Sequence, residues 1–137
     1  MKVFKQEDIK YIVAQHYLEL VKVNSQTNDI NKKIENLESF LASLFSIGDF
    51  GIFSDSPMDL IAYLNKLKED LWKKYGLPKD PIILQSNPKY QIGYQAFLQE
   101  YARILNIFVG FIIGKIYTKK EKLRLKDVDI FEILKEG

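Results

Sequence analysis

The sequence predicts an all-α fold: a single-domain helical bundle of four main helices plus a short C-terminal element, spanning residues 1–137. Three observations predict it. Apolar residues recur at spacings of three and four through four separate segments, the signature of helices with one buried face. Prolines and capping residues stand at the edges of those segments rather than inside them. The last of the four, Asn87 to Lys122, is long and nearly all apolar in its middle, which suits the centre of a bundle.

Length and composition agree. A chain of 137 residues that is 47% hydrophobic and 28% charged can bury a real core in one domain. It contains no cysteine, which excludes disulfides, zinc–thiolate sites and cysteine nucleophiles and favours a cytoplasmic setting. The opening MKVFKQEDIK places acids where a secretory signal needs an apolar core, so no secretory signal is expected.

The first helix is expected over residues 7–23. Glu7 and Asp8 suit its N-terminal dipole, and Ile9, Ile12, Val13, His16, Tyr17, Leu20 and Val21 share one broad face. The polar run Asn24 to Asp29 connects it to a second helix, expected from Asp29 to Ile47. There Ile30, Ile34, Leu37, Leu41 and Leu44 step by four, three, four and three, widened by Phe40 and Phe45, and Gly48 is placed to cap the end. Asp49 to Asp55 is irregular. Ser56-Pro57-Met58-Asp59 then opens a third helix, with serine at the cap, proline first and aspartate in the capping-box position. Leu60, Ile61, Leu64, Leu67, Leu71, Trp72 and Tyr75 make its buried face, and Gly76 and Pro78 end it.

Leu77 to Ser86 carries two prolines and reads as an extended linker, with Ile82 to Leu84 against the core. Asn87 and Pro88 then start the long helix. Between Ile104 and Ile113 only Asn106 and Gly110 are not large and apolar. The apolar run ends at Lys115, short of the roughly 18–20 residues a membrane span needs, so no transmembrane segment is expected. Gly110 and Gly114 form a small-xxx-small pair suited to close packing. A short last helix capped by Asp127 and holding Val128, Phe131, Ile133 and Leu134, or a strand through Leu123 and Leu125, completes the chain.

The clearest charged feature is KIYTKKEKLRLK. Lys115, Lys119, Lys120, Lys122, Arg124 and Lys126 face one acid, Glu121. Near-helical, they suit sequence-tolerant, salt-dependent contacts to a phosphate backbone, with Tyr117 available to stack on a base. Cations at a helix end also complement its dipole, the plainer reading of the same residues. Lys66, Lys68, Lys73 and Lys74 are interleaved with Glu69 and Asp70, the pattern of a solvated, ion-paired face.

Catalytic signals are weak. His16 is the only histidine, with no nucleophile, carboxylate partner or second metal ligand in a local motif, and reads as a packing residue. Asp49-Phe50-Gly51 spells the kinase magnesium tripeptide, but the chain lacks the other kinase motifs. Gly110 to Lys115 resembles a phosphate loop with one spacer too few and Ile116 where a hydroxyl is needed. The acid pairs Glu69-Asp70 and Asp127-Asp129 lie on segments read as exposed or terminal. The chain is therefore expected not to be an enzyme and to need no cofactor or metal.

The helical layout, the segment FVGFIIGKIYTKKEK (Phe108 to Lys122) and the lack of a catalytic set resemble the small all-helical subunits of multisubunit CRISPR RNA-guided effector complexes. The resemblance covers about a third of the chain. It implies a non-catalytic subunit of a larger nucleic-acid-associated assembly, with Lys115 to Lys126 touching the backbone of RNA or single-stranded DNA. Its partners would be other protein subunits, with self-association possible. Two alternatives stand beside it: a structural or scaffold protein that binds a partner through apolar helix faces, and a peripheral membrane protein with the long helix at the interface.

Overall fold

The computed structural model describes residues 6–46, 54–118 and 124–128. Five helices follow one another: α1 Gln6–Ser25, α2 Ile30–Phe45, α3 Pro57–Lys74, α4 Pro81–Ser86 and α5 Lys89–Thr118, then a single 3-10 turn at Leu125–Asp127. The described chain has no strand, and the bundle is all-α as the periodicity predicts.

Helices α2 to α5 start where the sequence supplies a side chain that accepts a backbone N–H. Asp29 accepts the Asn31 N–H at 3.0 Å to begin α2. Ser56 and Asp59 form the reciprocal capping box of α3, Oγ accepting the Asp59 N–H at 3.2 Å and Oδ2 accepting the Ser56 N–H at 2.9 Å. The hydrogen bonds that the Asp59 carboxylate accepts, first from the Ser56 N–H and then from the Ser56 hydroxyl at 3.0 Å, hold it below its usual range. α3 ends at Gly76, whose φ of 61° is the left-handed conformation that glycine adopts without strain.

The topology follows from cross-helix contacts. Asn36 donates to Asn24 at 2.8 Å across the tight α1–α2 turn, and Tyr17 meets Phe40 further along, so these helices are antiparallel. Lys68 reaches Glu38 while Leu60 and Ile61 flank Ala42, so α3 runs antiparallel to α2. Lys74 reaches Glu100 and Tyr63 meets Phe108, so α5 runs antiparallel to α3. Hence α5 lies parallel to α2 and antiparallel to α1. Its C-terminal turn shares one end of the bundle with the N-termini of α1 and α3.

The core is concentrated on α2 and α5. Leu37, Leu41 and Leu44 of α2 are at most 2% exposed, as are Tyr101, Ile104, Leu105, Phe108, Val109 and Ile112 of α5. Burying each such side chain contributes roughly 1.5–3 kcal/mol. A glycine inside a helix costs about 1 kcal/mol against alanine, so this burial outweighs Gly110 and Gly114, and α5 runs on through both. By length and composition Lys89–Lys115 would suffice to cross a membrane, a wider window than the uninterrupted apolar run; half of its apolar 18-residue window is buried inside the bundle.

Several expectations are corrected. Leu77 to Ser86 is not wholly extended: Asp80 accepts the Ile82 N–H at 2.9 Å and Pro81 supplies a helical φ, so α4 forms. Leu84 packs on the core, but Ile82 and Ile83 point to solvent. In α1, Val13 and Leu20 are buried while Ile12 and Val21 are not; in α3, Ile61 is exposed. α5 begins at Lys89, where Asn87 Oδ1 accepts its N–H at 3.1 Å. Leu125 and Asp127 lie in the 3-10 turn, which excludes a strand at Leu125. Gly48, Leu123 and the expected last helix beyond Val128 fall outside the described residues.

Candidate nucleic-acid interface

The basic segment leaves α5 at the end of the bundle shared with the α1 and α3 N-termini. Lys115 sits in the last described turns of α5, half-buried, with Nζ 5.3 Å from the centre of the Phe111 ring. One turn separates the two residues, so the apolar stem lies along the helix and the ammonium sits over the ring.

Beyond α5 the chain is tied back to the bundle. The Leu125 N–H donates to Asp55 Oδ2 at 2.7 Å, just before α3, and the Val128 N–H donates to the Leu125 carbonyl at 3.0 Å. Leu125 and Val128 are buried, whereas Arg124 and Lys126 are exposed. Two apolar anchors thus turn two cations outward. Lys119, Lys120 and Lys122 lie outside the described residues, as does the side chain of Tyr117. Of the six cations singled out in the sequence, Lys115, Arg124 and Lys126 are placed, all at this end.

The α3 lysines behave as an ion-paired face. Lys66 pairs with Asp70 and Lys73 with Glu69, both at 3.1 Å, one turn apart. Lys68 pairs with Glu38 at 3.4 Å and Lys74 with Glu100 at 2.6 Å. Hydrogen bonding to Asp70 raises the Lys66 ammonium above its ordinary pKa. Each lysine already has its own carboxylate, so α3 offers a phosphate chain much less unpaired charge than its composition suggests.

Three helices meet at a polar brace that the sequence does not announce. Glu38 Oε2 accepts from the Tyr101 hydroxyl at 2.9 Å and from Lys68 Nζ at 3.4 Å. Tyr101 is 1% exposed, and burial, with the Glu38 charge and hydrogen bond, pushes its hydroxyl far above the usual tyrosine range. At neutral pH it is a hydrogen-bond donor and not a proton-transfer group. Glu38 and Lys68 also line an open cleft of about 310 Å³ between α2 and α3, floored by Ala42, Leu60 and Leu64. The partners are 30 and 63 residues apart in sequence, so no local pattern points to them. A second brace holds α3 to α5. Burial pushes the Glu100 carboxyl up, but hydrogen bonds from Lys74 and the Tyr75 hydroxyl more than offset that and hold it below its usual range.

His16 is exposed at the rim of a cleft of about 230 Å³ between α1 and α2, not packed on the core as its place on the apolar face suggested. Among the described residues no group of three histidine or acidic side chains is placed to hold a metal. Among the described residues, a Cβ on Gly110 or Gly114 meets nothing within 4 Å, so these residues show no small-xxx-small contact there. Compared with known proteins, the chain matches no protein family, no curated protein and no solved structure.

Proposed function

We propose that this chain is a non-catalytic small subunit of a larger nucleic-acid-associated assembly, of the kind found in CRISPR effector complexes, and that it holds a nucleic-acid backbone with the end formed by Lys115 to Lys126. The observation that carries the reading is the anchored turn. Leu125 and Val128 are buried and the Leu125 N–H is fixed on Asp55, while Arg124 and Lys126 face solvent. Fixed cations lose less freedom on meeting phosphate than cations on a loose tail. The α3 lysines are each paired with a carboxylate, which argues against that face as the phosphate site.

The test is fluorescence anisotropy with single-stranded RNA, single-stranded DNA and duplex probes at two salt concentrations. The wild type is compared with Lys119→Glu, Lys120→Glu, Lys122→Glu and Arg124→Glu combined. Binding is expected to weaken with salt, the logarithmic slope being about −0.7 per phosphate neutralised on a single strand, as its counterions are released. The combined variant, folded by circular dichroism, is expected to lose it. Salt-independent binding, no binding at low salt, or full binding by the variant overturns the proposal.

A further inference from the structure

The outer side of α1 carries apolar residues that the bundle leaves uncovered. Tyr11 is 67% exposed, Leu18 61% and Val21 48%, with Ala14 half-exposed between them. Their spacing is three, four and three, the period of a coiled-coil seam and not of scattered surface residues. The seam flanks the side of α1 that buries Val13 and Leu20. A repeat of this kind calls for another helix, and α1 is already formed on α2 and α5, so a partner need not pay to nucleate it.

We infer that α1 pairs antiparallel, about a two-fold axis, with α1 of a second copy of this chain. Shape chooses the orientation. Antiparallel pairing sets Tyr11 against Val21 and Ala14 against Leu18 of the mate, so each layer joins a larger residue to a smaller one. Parallel pairing sets Ala14 against Ala14 and leaves a gap in the middle of the seam. Charge agrees. In the antiparallel register the flanking position opposite Lys22 is 8, an aspartate in the sequence, and Lys10 falls opposite Asn24. No two like charges meet across this seam. Because the α1 N-terminus lies at the basic end of the bundle, the two-fold sets the two basic ends at opposite poles.

The absence of cysteine makes the test clean. Sedimentation equilibrium without nucleic acid, over micromolar to high micromolar protein, is expected to approach twice the 16.0 kDa chain mass. Leu18→Glu is expected to return it to the chain mass with unchanged helicity, and with the melting temperature of wild type diluted to monomer, since Leu18 lies outside the core. Ala14→Cys and Leu18→Cys, mixed and oxidised, are expected to give mainly the mixed disulfide. A wild type that stays at the chain mass, a Leu18→Glu dimer as tight as wild type, or disulfides mainly between identical variants overturns the inference.

Discussion

Replacing Gly110 by alanine is expected to stabilise the protein. Gly110 lies on the exposed side of α5, and a Cβ there meets nothing within 4 Å. Its φ is negative, so alanine fits the backbone without strain. The gain comes from the unfolded chain, which loses conformational freedom, and is about 0.5–1 kcal/mol. For a domain of this size that is roughly 2–4 °C in melting temperature. Gly93 is the internal control. A Cβ there lies 3.3 Å from Leu77 Cδ2 and 3.6 Å from the Tyr75 carbonyl, and Leu77 is buried. The same helix gain is then offset by displacing a packed leucine, and Gly93→Ala is expected to be neutral or destabilising. Urea denaturation followed by circular dichroism reads both variants, with an unchanged m-value as the sign that only stability moved. A Gly110→Ala protein less stable than wild type would refute the reasoning, because it would mean that a backbone approaches Gly110.

Two further predictions concern the polar braces. Tyr101→Phe removes one hydrogen bond to Glu38, which keeps Lys68 and partial solvent contact, so the cost is expected to be about 1–2 kcal/mol at neutral pH in a denaturant titration. The folded Tyr101 hydroxyl stays protonated well above the ordinary value near 10.0. Above that pH the unfolded chain holds fewer protons than the folded one, so wild-type stability falls as pH rises, and Tyr101→Phe is expected to flatten that alkaline fall. Glu100→Gln weakens the tie to Lys74 and Tyr75 and is expected to cost about 1 kcal/mol at pH 7. The Glu100 pKa is depressed in the fold, so its contribution is present above the unfolded value near 4.5 and lost as pH falls through the folded one. Melting temperatures of wild type and variant are therefore expected to converge toward acid pH.

The capping logic was legible because it is local. Ser56, Pro57 and Asp59 lie within one turn, and the box that Ser56 and Asp59 form needs no other element. The heptad run of α2 was legible for a related reason: Ile34, Leu37, Leu41 and Leu44 repeat on one face, and all are buried. The same logic was present at Asp80-Pro81, where the nearby prolines made an extended linker look simpler than the short helix that forms. The Glu38 brace was not legible, because Lys68 and Tyr101 come to it from two other helices. For the candidate site, the sequence marks a basic run. That Leu125 and Val128 turn Arg124 and Lys126 outward depends on Asp55, about 70 positions away.

α5 and α1 show why apolar content alone does not decide burial. The sequence of α5 is apolar almost all round between Ile104 and Ile113, yet its solvent side is written in the exceptions. Arg103, Asn106, Gly110 and Gly114 stand three or four apart, fall on one stripe, and are all exposed. The residues that seemed to interrupt the pattern define the face that meets water, as a period of 3.6 requires. α1 shows the opposite case. Beside its exposed polar stripe of Gln15, Glu19 and Lys22, the apolar row of Tyr11, Leu18 and Val21 is also exposed, and no described helix covers it. An exposed apolar residue costs little singly; a row of them at coiled-coil spacing is an unfilled helix seat. Polar exceptions on α5 therefore mark a side finished against water, and their lack among Tyr11, Ala14, Leu18 and Val21 marks a row of α1 that suits another helix.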